Sequence, residues 1–355
     1  LKNGETCLIY ELMGASMIDI INFYDDMIPL EVVKSVVKNS LQGLEQLHSI
    51  KMIHTDLKPE NVLTNIYTRG ILFYKEIFET SNNFKAIFDS YIEEILPENF
   101  SDMDKVKKKK VKRTVKVKAA KRLANYIREI VQTAVNKESN SFYEIHKSET
   151  DIKDIDLDNL DLEDEEEKMY TFQDYQNEIP LSREEVSNLI QVKLIDFGNS
   201  EFFDDKVQDE ICVRCYRPPE NFMNSFFNEK ADIWSLGCLC FEFLTGEYLF
   251  DIDMVDDSNE RDRLYLAEMF KILGKIPKNL CLECEYSRDL FDKKGRIKKF
   301  KDLQQTSISE ILIDEFNYQD DTAKEIETIL KSLLNYNVNQ RPSAKEAISL
   351  DWFNK

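Results

Sequence analysis

The spacing of apolar residues predicts two long helices. Between residues 29 and 48 apolar side chains recur at helical intervals, so we expect a helix of about twenty residues with Pro29 in its first turn. Between residues 231 and 245 nearly every position is apolar, and Gly246 follows as a stop signal. Because a helix that is apolar on all sides belongs at the centre of a domain, we expect this second helix to form the core.

Shorter patterns divide the chain into three parts. Apolar periodicity alternates with turn signals in residues 1–65 and 191–355, whereas residues 66–190 carry blocks of like charge that rarely pack into a core. We therefore expect two globular parts separated by a charged insert of low order. The elements predicted within them are helices near 261–273, 322–335 and 343–350, short strands at 7–10 and 192–195, and helical pieces of the insert at 73–95 and 119–135.

Composition and charge narrow the class of protein. The 355 residues are 42% hydrophobic, which is enough for a sizeable core. A formal net charge of −20 disfavours a general nucleic-acid binder and favours a basic partner. The sequence has no apolar run of the roughly 18 residues that a membrane span needs and no signal peptide, so we expect no membrane association. Seven cysteines, a sparse and odd number, exclude a disulfide scaffold.

Three short motifs follow one another in the order of a protein-kinase C-lobe. The first, HTDLKPEN at 54–61, comes after the first long helix and matches the catalytic-loop pattern H-R-D-L-x-x-x-N at every fixed place except residue 55. DFG at 196–198 follows a short apolar run, and PPE at 218–220 stands in the place of A-P-E. Because the flanking helices agree as well, we expect a protein-kinase-like fold, mainly α-helical with short β-strands.

The residue types in these motifs fit phosphoryl transfer, which needs positioning and charge neutralisation more than covalent chemistry. We assign Asp56 to accept the proton of the substrate hydroxyl and Lys58 to offset the charge of the transferred group. Asn61 and Asp196 are assigned to Mg²⁺. The expected cofactors are therefore ATP and Mg²⁺.

Three further residues are expected to have structural roles. In protein kinases the positions of Glu220 and Arg341 form a buried ion pair, and the position of Asp232 holds the backbone of the catalytic loop. None of the three contacts substrate in that arrangement.

Several stretches resemble the family of SR-protein kinases, which phosphorylate serines in arginine/serine-rich segments of splicing factors. Threonine at position 55 gives the HTD variant of that family. The other similar stretches are TGEYLF at 245–250, LGKIP at 273–277 and YSRDLFDKKG at 286–295, and the family has a long spacer where residues 66–190 lie. The resemblance covers residues 1–65 and 191–355, and it implies a serine/threonine kinase whose partners are basic Arg/Ser-rich proteins.

The beginning of the chain resembles the hinge of a kinase. By that resemblance Tyr10 is the gatekeeper, Glu11 and Met13 offer backbone groups to adenine, and Leu63 also lies against the nucleotide. The sequence contains no G-x-G-x-x-G and begins with Leu1 rather than Met, so we expect a fragment that lacks the N-lobe β-sheet. Such a C-lobe alone provides half of an ATP cleft and should be inactive or very weakly active.

Two features depart from the family's pattern. Val213 replaces a threonine that in kinases hydrogen-bonds the catalytic aspartate and lysine, and the loss of one such bond costs about 0.5–1.5 kcal/mol. In addition, Leu264 and Lys271 occupy positions where the family has acidic side chains that dock Arg-rich substrate. Acidic residues at 251–260 could substitute for them, although a solvated loop is the simpler interpretation.

Two alternative functions stay open. The chain could be another kinase of the same larger group, of the LAMMER or dual-specificity type, or a non-catalytic scaffold derived from a kinase. The basic run at 105–122 could be a nuclear import signal, or it could pair with the acidic run at 151–167. We expect a monomer that is located in the cytoplasm and the nucleus and has no direct contact with nucleic acid.

Thr55 generates a prediction about regulation. An arginine at this position would normally be neutralised by a phosphate on the activation segment, and threonine offers no such receptor. We therefore expect activity that needs no activation-segment phosphate. The test is to treat the intact gene product with phosphatase and to measure phosphate transfer before and after; loss of most of the activity would contradict the prediction.

Overall fold

The computed structural model describes residues 11–25, 27–72, 178–203, 210–252, 255–300 and 303–353, together with separate stretches between residues 75 and 122. The chain divides into two compact units. One comprises Leu1–Leu12 and Tyr67–Pro180, and the other comprises Met13–Ile66 and Leu181–Lys355. The second unit contains all three kinase motifs.

The second unit is built mainly of helices, and the first contributes one long helix among its described residues. In chain order the helices are α1 (Met17–Phe23), α2 (Leu30–Ser49), α3 (Phe84–Ile95, in the first unit), α4 (Arg183–Leu189), α5 (Pro219–Phe222), α6 (Lys230–Thr245), α7 (Ser258–Leu273), α8 (Lys278–Glu283), α9 (Ser287–Leu290), α10 (Ile308–Asp314), α11 (Asp320–Leu333) and α12 (Ala344–Ile348).

Helix α6 forms the centre of the second unit, as its apolar pattern predicts. Every residue from Ala231 to Thr245 is buried, and the helix ends at Gly246 in a left-handed conformation with φ of 76°. Helices α2 and α11 pack against α6, and α12 packs against α2. A side chain at Gly237 would collide with Leu334, which explains how the end of α11 comes so close to the central helix.

The strands are short and join two functional loops. Strand β2 (Val62–Thr64) pairs antiparallel with β3 (Val192–Leu194), in the register Val62 to Leu194. Strand β1 (Met52–Ile53) pairs antiparallel with β4 (Glu201–Phe202). The strand predicted at 192–195 is thus confirmed in its first three residues, whereas the strand predicted at 7–10 lies outside the described residues.

The boundary of the insert differs from the predicted one. Residues 181–190 were assigned to the charged insert, but they belong to the second unit. Helix α4 begins with a capping box between Ser182 and Glu185, its Val186 is completely buried, and the Tyr24 hydroxyl donates to the Arg183 carbonyl at 2.8 Å. These contacts attach α4 to α1, so the insert ends at about residue 180.

The first unit is described only in part. Arg69 joins its two ends by an ion pair of 2.7 Å with Glu178, and Arg122 lies over the Tyr91 ring at 4.3 Å. Helix α3 confirms the second half of the helix predicted at 73–95, whereas most of the helix predicted at 119–135 lies outside the described residues. Among the described residues, none of the helices has the length and apolarity that crossing a membrane requires.

A buried ion pair fastens the activation segment to the C-terminal helices, as predicted. Arg341 is completely buried and donates to both carboxylate oxygens of Glu220, at 2.8 and 2.9 Å. Its guanidinium also donates to the carbonyls of Lys230 and Asn335 and lies over the Trp234 ring at 5.1 Å. All these partners are needed because an uncompensated buried charge is costly.

We expect Glu220→Ala to lower the free energy of unfolding by about 3–5 kcal/mol, because it leaves Arg341 buried without its counter-ion. Urea unfolding followed by tryptophan fluorescence measures the change. The matched control is Lys324→Ala, which removes one member of an exposed ion pair and should cost less than about 0.5 kcal/mol. Equal effects of the two substitutions would contradict the interpretation.

Candidate active site

A buried carboxylate fixes the backbone of the catalytic loop. Asp232, at the start of α6, is completely buried and accepts hydrogen bonds from the main-chain amides of His54, at 2.8 Å, and Thr55, at 3.0 Å. It also contacts Nε2 of His48 at 2.9 Å. Thr55 has φ of 66°, a left-handed conformation that β-branched residues rarely adopt. The contacts of Asp232 offset that strain and confirm its predicted role.

Three predicted catalytic residues come together in this loop. The Asn61 amide donates to the main-chain carbonyl of Asp56 at 2.8 Å and lies 3.4 Å from its carboxylate. The ammonium group of Lys58 lies 3.3 Å from the same carboxylate. The loop therefore presents Asp56 with a positive charge at its side and a backbone fixed by Asn61.

The pairing of β2 with β3 brings Asp196, the fourth of these predicted residues, next to the catalytic loop. Asn61 directly precedes β2, Asp196 lies two residues after β3, and the Ile195 amide donates to the Asn61 carbonyl at 3.0 Å. Nε2 of His54 contacts the Ile195 carbonyl at 2.9 Å. Asp196 is exposed and has a left-handed backbone with φ of 65°. The structure thus joins the catalytic loop to the DFG motif through the hydrogen bonds of Ile195, the residue before Asp196.

The side-chain oxygen atoms of Asn61 and Asp196 are of the type that binds Mg²⁺. Mg²⁺ prefers oxygen ligands and is bound in nucleotide sites by one or two protein groups together with phosphates. The amide nitrogen of Asn61 is engaged with Asp56, which leaves its oxygen as the available ligand, and the carboxylate of Asp196 is exposed. Within the described ranges, no group of three or more His, Cys, Asp or Glu side chains forms a metal cluster, so a larger all-protein site is not present there.

The four residues predicted to contact the nucleotide do not all lie in the same unit, and one of them is not described. Tyr10 lies outside the described residues, and Glu11 is exposed and belongs to the first unit. Met13 and Leu63 are half-buried in the second unit. The amide of Gly14, next to Met13, donates to the Thr64 carbonyl at 2.6 Å, and Leu63 forms an antiparallel bridge with Ser16, so the segment that follows Met13 runs beside the segment that contains Leu63.

The activation segment, of which the structure describes residues 196–203 and 210–220, contacts the catalytic loop. The Cys212 amide donates to the Thr55 carbonyl at 2.9 Å, and Arg217 holds the segment by donating to the carbonyls of Ile211 and Cys212. A cavity of about 590 Å³ lies between the two; it is lined by Thr55, Asp56, residues 198–201 and residues 210–213. Val213 faces this cavity with 49% of its surface exposed, so it places an apolar side chain where kinases have a hydroxyl.

Asn199 is a site residue that sequence reasoning missed. Its side-chain amide nitrogen lies 3.4 Å from the Asp56 carboxylate, and its main-chain carbonyl accepts a hydrogen bond of 2.6 Å from the Thr55 hydroxyl. The signal was available, because Asn199 directly follows DFG. This contact occupies the Thr55 side chain, but the predicted independence from phosphate stays a prediction.

Sequence reasoning also missed Glu242, an acidic residue of α6 that interacts electrostatically with Glu60 of the catalytic loop. Glu242 is buried in α6 and accepts a 2.8 Å hydrogen bond from the Tyr216 hydroxyl. Burial raises the pKa of Glu242 to about 7, the Tyr216 hydrogen bond opposes that rise, and the negative charges of Glu60 and Glu247 add to it. The sequence signal was an acid near the end of a stretch that is otherwise almost entirely apolar after Asp232.

The acidic residues of α7 are already paired with basic ones. Glu260 contacts Arg263 at 2.5 Å and Lys299 at 2.6 Å, and Asp262 contacts Arg214 at 3.1 Å. Glu268 contacts Lys271, one of the positions noted for its departure from the family. Of the acids at 251–260, residue 253 lies outside the described residues, and Asp257 caps α7. A docking role for this group stays a prediction.

Comparisons with known proteins agree with this geometry. The family described as protein kinase domain matches residues 1–72 and 176–353. Serine/threonine-protein kinase SKY1 of Saccharomyces cerevisiae is 32% identical over 46% of this chain and 22% of its own length. Protein kinase dsk1 of Schizosaccharomyces pombe is 25% identical over 99% of this chain and 66% of its own length, and SRSF protein kinase 3 of Homo sapiens is 29% identical over 46% and 29%. The chain therefore spans less than two thirds of each of these relatives.

Proposed function

The chain belongs to the protein kinase domain family, and from this premise we propose that it transfers the γ-phosphoryl group of ATP to serine or threonine hydroxyls in basic, Arg/Ser-rich protein segments. The resemblance to the SR-protein kinases is confirmed by its relatives, which include SRSF protein kinase 3. The observation that carries the proposal is the convergence of Asp56, Lys58 and Asn61 in one loop, with Asp196 attached to it through β2 and β3.

We propose one task for each of these side chains. Asp56 orients the substrate hydroxyl and accepts its proton as the new oxygen–phosphorus bond forms, while the bond from the γ-phosphorus to the β,γ-bridging oxygen breaks and ADP leaves. Lys58, close to Asp56, offsets the charge of the group in transfer. Asn61 and Asp196 would hold Mg²⁺, which when bound neutralises charge on the ATP phosphates.

Four finer statements about the chain stay predictions. The family match begins at residue 1, so it does not support the absence of an N-lobe β-sheet, and the structure describes residues only from 11 onward. Weak activity of this chain by itself is likewise untested, as are its monomeric state and its location in cytoplasm and nucleus. Activity is therefore to be measured on the intact gene product.

The charges beside the catalytic loop support a basic substrate. Glu60 follows Asp56 by four residues in the same loop and is exposed, as is Glu247 just after α6. The negative charges of Glu60 and Glu247 both raise the pKa of Glu242, so the three carboxylates repel one another. A guanidinium bound here would be attracted by all three acids. We propose that this group, Glu60, Glu242 and Glu247, selects arginine next to the phosphorylated serine.

We expect peptides of alternating arginine and serine to be phosphorylated far better than peptides in which alanine replaces arginine, by at least about tenfold in kcat/KM. A peptide array with radiolabelled ATP and Mg²⁺ measures this. Equal phosphorylation of both series would argue for a different kinase of the same larger group, and no phosphorylation of any peptide would favour the non-catalytic scaffold.

The raised pKa of Glu242 gives a prediction about pH. Below about pH 7 its carboxyl is protonated and neutral, and above that pH it is charged. KM for an arginine-containing peptide should therefore fall about three- to tenfold between pH 6 and pH 8, as expected for one partly screened charge pair. The control is Glu242→Gln, whose KM should stay at the low-pH value throughout. If this variant kept the full pH dependence of KM, Glu242 would not be the group responsible.

A further inference from the structure

The loop between α9 and α10 carries a local positive charge on an acidic chain. Residues 293–299 read KKGRIKK, with five basic residues and no acid, although the whole chain has a formal charge of −20. All five basic residues are exposed, whereas Gly295 and Ile297 between them are buried. This run therefore presents its charges to solvent while it inserts an isoleucine into the protein.

Backbone hydrogen bonds hold this run in a defined turn. Phe291 and Ile297 form an antiparallel bridge, and the Asp292 carboxylate accepts from the amides of Lys294 and Arg296 at 2.8 and 3.0 Å. Gly295 takes the left-handed conformation that the turn requires, with φ of 76°. The positive charges are thus presented from a fixed scaffold.

An apolar cavity opens beside this turn. It measures about 190 Å³, and its walls are formed by Phe270, Ile276, Gly295, Ile297, Phe300 and Leu303, with Lys275 and Arg296 also in the lining. Small-molecule sites usually occupy about 300–1,000 Å³, so this cavity suits one large apolar side chain rather than a whole ligand. A single side chain inserted from a peptide would place its neighbours next to the two cations.

The surrounding charges decide which peptide fits. Glu268 and Glu260 of α7 are neutralised by Lys271, Arg263 and Lys299, and Asp292 is paired with Arg296. Because these pairs also neutralise Arg296 and Lys299, the net positive charge beside the cavity comes from the exposed side chains of Lys275, in its lining, and of Lys293 and Lys294, in the adjoining turn. An arginine-rich segment would be repelled here, whereas an acidic one would be attracted.

We propose that this surface, which we call the basic groove (Phe270, Lys275, Ile276, residues 293–300 and Leu303), binds an acidic protein segment that inserts one leucine or phenylalanine. Charge complementarity and the size of the cavity select that occupant. The basic groove is distinct from the acidic group Glu60, Glu242 and Glu247, so a partner with an acidic docking segment and an Arg/Ser-rich target segment could use both.

The probe is a fluorescein-labelled peptide in which a Leu-Phe pair is flanked on each side by three glutamates, and the readout is fluorescence anisotropy on the intact gene product. We expect saturable binding that weakens as salt is added, because the contacts are exposed charges. Replacing Leu-Phe by Ser-Ser in the peptide should weaken binding at least about tenfold, since the apolar anchor is lost.

Charge reversal locates the site. The double variant Lys275→Glu/Arg296→Glu should weaken binding about tenfold, whereas Lys324→Glu, at an exposed lysine on α11, should change it less than about twofold. Circular dichroism checks that both variants fold.

Three results would overturn the proposal. The first is binding of the Ser-Ser peptide as strong as that of the Leu-Phe peptide, and the second is unchanged binding in the double variant. The third is that the groove binds a labelled single-stranded RNA or an Arg/Ser peptide instead. Because the assay measures binding without ATP, its failure would leave the proposed kinase activity unaffected.

Discussion

The active site depends on one buried carboxylate. Asp232 receives three donors at once, two from the catalytic-loop backbone and one from the end of α2. A buried charge with fewer partners would be costly, so the loop is held in the one conformation that supplies them. That conformation includes a left-handed threonine, which the loop would not adopt by itself. Through Asp232, the core helix α6 thereby fixes the position of the loop that carries Asp56.

The rest of the site is attached to this loop by backbone contacts. Strands β2 and β3 bring Asp196 to Asn61, and Cys212 brings the activation segment to Thr55. Backbone hydrogen bonds of this kind tolerate changes of side chain. This explains how the chain keeps the kinase arrangement although Val213 and Thr55 differ from the common pattern. The charges of the chain are separated in a similar way: acidic residues interact near the catalytic loop, and basic residues form the turn at 293–299.

Much of the fold could be predicted because its long helices follow apolar periodicity. Helices α2 and α6 were expected within one or two residues of their ends, and α7, α11 and α12 were expected near their positions. Short elements such as α1 have too few residues to show a period. Helix α4 was assigned to the insert because the acidic run upstream dominates the local composition, although Ser182 and Glu185 spell a capping box.

The catalytic residues could be predicted because their motifs are local, whereas the acidic group could not. Asp56, Lys58 and Asn61 lie within six positions of one another, so spacing alone identifies them. Glu60 and Glu242 are far apart in the chain, and only the packing of α6 beneath the activation segment brings their charges into range. The same holds for Asn199, whose contact with Asp56 requires the pairing of β2 with β3.

The central claim is that the loop held by Asp232 presents Asp56 to a substrate hydroxyl. The most direct measurement is kcat for phosphorylation of an Arg/Ser peptide by Asp56→Asn, which keeps the shape of the side chain and removes its charge. The account predicts a fall in kcat of at least about 100-fold with little change in the affinity for ATP and Mg²⁺. A kcat within about tenfold of the original protein would contradict it.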